Sequence, residues 1–485
     1  MGAMTKTHGG GVTNGSAIGA LIVTGIGVFM VGLDNLVVTN ALPVIQRDLN
    51  AGLEGLEWTV NAYTLPFAAF LLTGAAVADR FGRKRLLLGG LVVFVGASAA
   101  CASAGTIGEL IAARAVQGVG AAVVMPLTLT MLSAAVSPER RTLAIGGWSA
   151  MSGLAAALGP VVGGVVTELA SWQWIFWINV PIGAVLIPMT YLLLAESHGP
   201  AKKLDLVGTA LASIGLAAVV YGVIRGNGDG WTSVNVLSAL VAGGVCLVAF
   251  VGYEIILDNR EGADPMMPMR LFLIRGFSAT NAAYLIMGFA MFGAIFLIVQ
   301  FLQNVQGYSP LEAGVRSLPW TAAPVVVAPL AGLLTGWIAA RTVVVWGLVL
   351  QTIGIGWLAA IAVPDVAYTS LVPAFVVCGA GMGLFFPPMF GLVLANAPER
   401  FAGVASGVSN SMRQLGTVLG IAVLGSVFSA AGSLTSRQGF VDGMVPALWV
   451  ATAALAVGSV VAVLIPARPL AAEEPVAAPG SVVVR

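Results

Sequence analysis

The chain has 485 residues, of which 58% are hydrophobic and only 9% charged, with a mean hydropathy of +0.96. A soluble domain carries about 25% charged residues, so the composition excludes one and describes a polytopic membrane protein. Basic and acidic residues nearly balance, 22 against 21, which gives no sign of a nucleic-acid partner.

Counting removes further chemistries. Cys101, Cys246 and Cys378 lie far apart in apolar segments and read as small core residues, not as a disulfide set. The two histidines, His8 and His198, fall in a tail and a loop, which leaves no His-based zinc site. Lys6, Lys84, Lys202 and Lys203 all lack the preceding Gly of an ATP-binding Walker A loop. No cofactor, metal or catalytic residue is expected.

Residues 1–16 form a polar, Gly-rich tail. It is not a cleaved signal, because the apolar stretch after it is of full span length. A membrane span needs about 20 apolar residues. Fourteen such stretches follow, at 17–40, 58–78, 86–103, 107–133, 143–166, 174–194, 205–224, 234–256, 277–302, 313–337, 342–363, 369–395, 402–430 and 444–466. They group as an N-terminal six-helix bundle (17–200), two additional helices (201–260), a C-terminal six-helix bundle (261–466) and a tail (467–485).

Between the second and third stretches lies a charged island, Asp79-Arg80-Phe81-Gly82-Arg83-Lys84-Arg85. Basic loops mark the cytoplasmic face. If both termini lie on that face, sixteen of the 22 basic residues fall inside, three outside (Arg47, Arg225, Arg437) and three within spans (Arg114, Arg316, Arg413). This asymmetry supports both the span count and the orientation, with both termini cytoplasmic.

The island's D-R-x-G-R-K spacing resembles the signature loop of the major facilitator superfamily. Further matches run in order along almost the whole chain. Leu33 to Pro43 fits L-D-x-T-x-x-x-x-A-L-P, except that Leu36 replaces the Thr. Trp58 to Tyr63 fits W-x-x-x-x-Y, Arg114 to Gly120 fits R-x-x-Q-G-x-G, and Gly159 to Gly164 fits G-P-x-x-G-G. Trp174 to Gly183, Gln303 to Gly314 with Leu318-Pro319, and Asn410 to Gly416 add three more. Together they resemble the fourteen-span drug:proton antiporter subfamily. The implied fold is an all-α membrane protein, a major facilitator fold with six plus two plus six helices. The island departs at one place, where Ala75 stands for the Gly expected four residues before Asp79.

Each motif residue has a physical reading beside the resemblance. A carboxylate in hydrocarbon is costly and faces a cavity or a partner. Asp34 therefore either exchanges a proton or bonds a neighbouring helix. At about 1.5 Å per residue, Arg114 sits at nearly the depth of Asp34. It either pairs with Asp34 in proton coupling or fastens helices through backbone carbonyls, with Gln117 one turn on as a partner. Gly159, Pro160, Gly163 and Gly164 strip one helix face and suit close packing or a conformational pivot. Asp79, with Arg80, Gly82, Arg83 and Lys84, either latches one face of the bundle or only fixes topology. Asn410, Arg413 and Gln414 form a polar stripe by helical spacing. They, Gln117 and the aromatic residues Tyr284, Phe289, Phe292, Phe385 and Phe386 are candidates to line a substrate cavity, packing being the alternative.

The resemblance implies a multi-pass cytoplasmic-membrane exporter of amphipathic small molecules such as drugs or antibiotics. It would act as a monomer, be driven by a proton gradient, and have protons, substrate and the lipid bilayer as its partners. A lipid or metabolite transporter on the same fold, and a membrane sensor or enzyme, are the alternatives. No loop is long enough, and no cluster reactive enough, to favour the last.

Overall fold

The computed structural model describes residues 14–199, 204–260, 265–398 and 401–467. Nearly all of the expected tails, residues 1–13 and 468–485, lies outside them. Every regular element among the described residues is helical. Thirteen helices are long and apolar enough to cross a membrane, fourteen if one bent pair counts as a single span.

In chain order the spans are Ala17–Asp48, Leu53–Phe81, Arg83–Ala102, Ile107–Ala135, Leu143–Leu169, Trp174–Leu193, Leu206–Asp229, Val234–Asp258, Arg275–Val305, the bent pair Pro310–Arg316 with Leu318–Leu334, Ala340–Ile361, Tyr368–Ala395, Ala402–Ala431 and Arg437–Val463. They are called first to fourteenth below. Each expected apolar stretch becomes one of them.

Local sequence sets where they start and break. Thr106 caps the fourth span by accepting the Glu109 N–H at 3.2 Å. Ser309 and Glu312 form a reciprocal capping box at the start of the tenth, satisfying two of the N–H groups that a helix start leaves orphaned. The sixth helix is interrupted at Ile178, and the tenth bends by 40° at Ser317. The ninth ends in a π-helical turn, Phe301–Val305. These irregularities fall beside Asn179-Val180-Pro181, Leu318-Pro319 and Gln303, all in motif positions.

Packing is largely within two sets. The first span packs on the fifth, and the second and third pack on the fourth. Further along, the ninth packs on the thirteenth, and the eleventh on the twelfth and fourteenth. Between the sets, the second span meets the thirteenth and the fifth meets the tenth. The seventh and eighth pack on each other, and the seventh also lies against the second and thirteenth. Thr209 shares a 2.6 Å hydrogen bond with Thr73 of the second span, and Asn227 donates to Ser426 of the thirteenth.

The two ends of the bundle are named here by their sequence: the island end carries Asp79–Arg85, and the far end carries Asp48 and Leu53. Gly82, at φ +109°, turns the chain from the second span into the third. A side chain is strained in that backbone conformation.

Candidate functional site

Asp34 and Arg114 meet in the interior. Arg114 Nη1 lies 2.6 Å from Asp34 Oδ2, and the two residues are 0% and 2% exposed respectively. Gln117 Nε2 donates to Asp34 Oδ1 at 2.8 Å, and Asn179 Nδ2 donates to the same oxygen at 2.9 Å. Three donors thus converge on one carboxylate. Arg114 also donates to Gln117 Oε1 and, at 3.3 Å, to the Thr59 carbonyl. Its guanidinium stands 4.1 Å from the Tyr63 ring centroid, close enough for a cation–π contact. Arg114 Nη2 and the Tyr63 hydroxyl find no partner.

Five spans build this cluster: Asp34 comes from the first, Thr59 and Tyr63 from the second, Ser98 from the third, Arg114 and Gln117 from the fourth, and Asn179 from the sixth. Ser98 takes a hydrogen bond from Asn179 and donates to the Phe176 carbonyl, each at 2.9 Å. Asn179 is the residue that sequence reasoning passed over. It stands in the W-x-F-x-x-N-x-P element, and the helix break at Ile178 brings it to the start of a new helical segment.

The Gly-Pro element divides between two neighbours. Gly159 and Gly163 lie against Leu36 and Val37 of the first span, while Gly164 lies against Pro310 and Leu311 of the tenth. In return, Gly314 of the tenth lies against the Pro160 carbonyl. A side chain at either glycine would collide with backbone of the opposite set. Asn40 clips this contact, its Nδ2 donating to the Pro160 and Pro310 carbonyls at 2.9 and 3.0 Å. Gln303 donates to the Asn40 carbonyl at 2.7 Å. Four spans are tied together here, at the far end. Asn40 and Gln303 are two more positions the motifs contain but sequence reasoning did not single out.

At the island end, Asp79 pairs with Arg83 at 2.8 Å. Lys84 does not join that pair; its Nζ lies 4.8 Å from the Tyr191 ring centroid. Arg80 stacks on Phe81. Glu196, beyond the sixth span, accepts the backbone N–H of Lys84 at 2.9 Å and of Arg85 at 3.2 Å, so it caps the third span. Burial pushes the Glu196 carboxyl up, but the N–H groups of Lys84, Ser197 and Arg85 outweigh it and hold the group below the usual carboxylate range.

In the second set, Tyr284, Phe385 and Phe386 form one aromatic cluster, with ring centroids 5.3 to 6.4 Å apart. Phe289 and Phe292 stand outside it, half-buried on the ninth span. Arg413 donates to Asn410 at 2.9 Å, and no acid pairs with it among the described residues. Gln414 is buried with both side-chain polar atoms unpartnered.

Charges buried at helix contacts in a bundle of apolar spans mark a polytopic membrane protein. The chain belongs to the major facilitator superfamily, whose sequence profile matches residues 24–421 and 282–480. It is 36% identical over 417 residues to the multidrug resistance protein Stp of Mycobacterium tuberculosis, covering 86% of this chain and 76% of that protein. It is 36% identical over 448 residues to a cephamycin export protein of Amycolatopsis lactamdurans, covering 89% and 90%. A tetracenomycin C resistance and export protein of Streptomyces glaucescens is 32% identical over 413 residues, covering 84% and 76%. Among solved structures, a bacterial homologue of the human lysosomal transporter Spinster superposes with a TM-score of 0.63 at 15% identity, covering 93% of this chain and 97% of that one. A D-xylose–proton symporter gives 0.64 at 13%, covering 92% and 97%. At these identities the likeness is one of fold.

Proposed function

We propose that this protein is a proton-coupled exporter of amphipathic small molecules, driven by the proton gradient across a cytoplasmic membrane and acting as a monomer. Its spans are arranged as six plus two plus six, with both termini and the island on the cytoplasmic side. The two six-span bundles rock about a central cavity that opens to each side in turn. The observation that carries the reading is the buried Asp34–Arg114 pair with its two amide donors. A proton reaching Asp34 removes its charge, releases Arg114 and re-ranks the two conformations, since a ligand shifts an equilibrium only by binding the two states unequally. The export relatives support the direction of transport.

Arg413, Asn410, Gln414 and the cluster of Tyr284, Phe385 and Phe386 line the substrate cavity in this reading; Asp79–Arg83 and the Gly-Pro contact act at the two gates. The test is ethidium transport in inverted vesicles carrying the protein. Accumulation should follow an imposed inside-acid gradient and collapse when the gradient is dissipated. Gradient-independent accumulation would overturn proton coupling, and gradient-driven movement in the opposite sense would favour an importer.

A further inference from the structure

Glu57 is an acid that the proposed mechanism leaves unused. The second helix starts at Leu53, so Glu57 lies one turn inside it and not in the preceding loop. It is 2% exposed. Its carboxyl group faces span 13, with Oε1 resting where a side chain on Gly425 would begin. Among the described residues no hydrogen-bond donor or cation pairs with it. The second and thirteenth spans belong to different packing sets, so any parting of the sets at the far end opens this contact.

The charged groups around Glu57 leave it without compensation. Glu54, one turn earlier, is paired with Arg225 of the seventh span at 2.9 Å, and Arg225 also meets Asp229 at 3.4 Å. Arg114 of the fourth span reaches the Thr59 carbonyl, two residues on, but is spent on Asp34 of the first. Glu109, also of the fourth span, is turned back on its own helix start, where it accepts the Gly105 N–H. The thirteenth span brings no charge nearer than Arg413, twelve residues or about 18 Å along the helix. An ionised carboxylate buried without donors costs several kcal/mol. The neutral acid is the form that this packing accommodates.

We infer that Glu57 is a second proton-binding carboxyl, which must be loaded from far-side water before the far end can close. The inference rests on the proton-coupled reading above. When the sets part at the far end, water reaches Glu57 and it ionises like an ordinary Glu, with a pKa of about 4.3. Closing returns it to the Gly425 contact and therefore requires one proton, which binds the carboxylate oxygen. That proton goes back to the same side when the far end reopens, so Glu57 moves no net charge across the membrane. It sets a condition: the carrier resets only when the far side is acid enough. A closing step that takes up one proton becomes less favourable by up to about tenfold per pH unit as pH rises.

The test is the distance between two spin labels at the far end, on cysteines introduced at Gly52 and Ala430, both exposed. Cys246 is replaced by Ser; Cys101 and Cys378 are buried. The purified full-length protein is measured from about pH 5 to about pH 9, a range above the ordinary Glu value of about 4.3, where the water-exposed carboxyl is ionised. The short-distance population of the wild type should fall as pH rises. Glu57→Gln and Glu57→Leu should both shift toward the closed state and lose the part of the slope that Glu57 carries, while Asp34→Asn retains that part. A Glu57→Gln variant that tracks the wild type, with the slope lost in Asp34→Asn instead, would overturn the role of Glu57 and leave coupling at Asp34 standing. A wild type with no pH dependence at this end would overturn the inference too, while the vesicle assay would still decide the broader reading.

Discussion

At the scale of single residues, Asp34 is the group on which most depends. In Asp34→Asn the amide keeps the shape but cannot exchange a proton, and Arg114 loses its counter-charge. Breaking a buried ion pair costs about 3–5 kcal/mol. The Tyr63 ring and Gln117 still serve the guanidinium, which places the loss near the lower end of that range. Gradient-driven flux in proteoliposomes should fall to background, while the protein still purifies as a single species of lowered Tm. Wild-type flux in this variant would remove Asp34 from the coupling role. The Asp34–Arg114 meeting was legible in the sequence because helical rise fixes depth. The Asn179 contact was not, since it depends on how the sixth helix is interrupted. Glu57 escaped because hydropathy places it at a span boundary; only helix start and neighbour packing show it to be buried.

Glu196 gives a residue-scale prediction outside the spans. Its carboxyl is held below the ordinary range by three backbone N–H groups. A depressed acid contributes stability that is fully present above its unfolded value and lost as pH falls through its folded one. The wild type should therefore lose Tm on acidification below the normal Glu range, about pH 4.3. Glu196→Gln should start from a lower Tm at neutral pH and lose less on the same descent. Parallel curves for the two proteins would show that Glu196 contributes nothing there.

At the scale of elements, the fifth and tenth spans interlock through glycine. Gly164→Val puts a branched side chain against the Pro310 carbonyl and Leu311 backbone, which cannot move aside as a flexible side chain would. The expected result is a carrier held open at the far end, with transport reduced at least about tenfold, the equivalent of 1.4 kcal/mol against closure. The check is faster alkylation of a cysteine placed at Asn40 in the variant than in the otherwise unaltered protein. An unchanged alkylation rate would mean that the glycine contact is packing only. The glycine run itself was plain in the sequence. Its division between two partners was not, because a helix face says which residues are small but not which neighbour comes close.

At the scale of the whole molecule, the charge inventory bears on what is carried. The second set holds Arg413, with no acid paired to it among the described residues, near Tyr284 of the aromatic cluster with Phe385 and Phe386. A desolvated cation needs a partner, and Asp34 is already taken by three donors. Neutral, zwitterionic or anionic amphiphiles should therefore be exported better than dicationic ones, with monovalent cations between. Matched dyes in one efflux assay check this, and robust export of the dication with the neutral analogue ignored would refute it. Span number was legible at this scale because apolar length is a property of composition. The bend at Ser317 and the break at Ile178 were not, since proline near a helix start is compatible with an unbroken helix.

The backbone contact between Gly164, Gly314 and the two prolines also bears on how the protein can change over generations. A contact made of main chain offers no side chain to exchange, so it cannot be retuned by ordinary substitution. A saturation library selected for transport should therefore show the same profile at both positions: glycine retained, alanine rare, everything larger lost. The aromatic cluster of Tyr284 and Phe386, which lines the proposed substrate cavity, is made of side chains and should tolerate many residues. New cargo can then be acquired by drift in the cavity while the closing surface stays fixed, which separates the part of the molecule that is free to diversify from the part that is not.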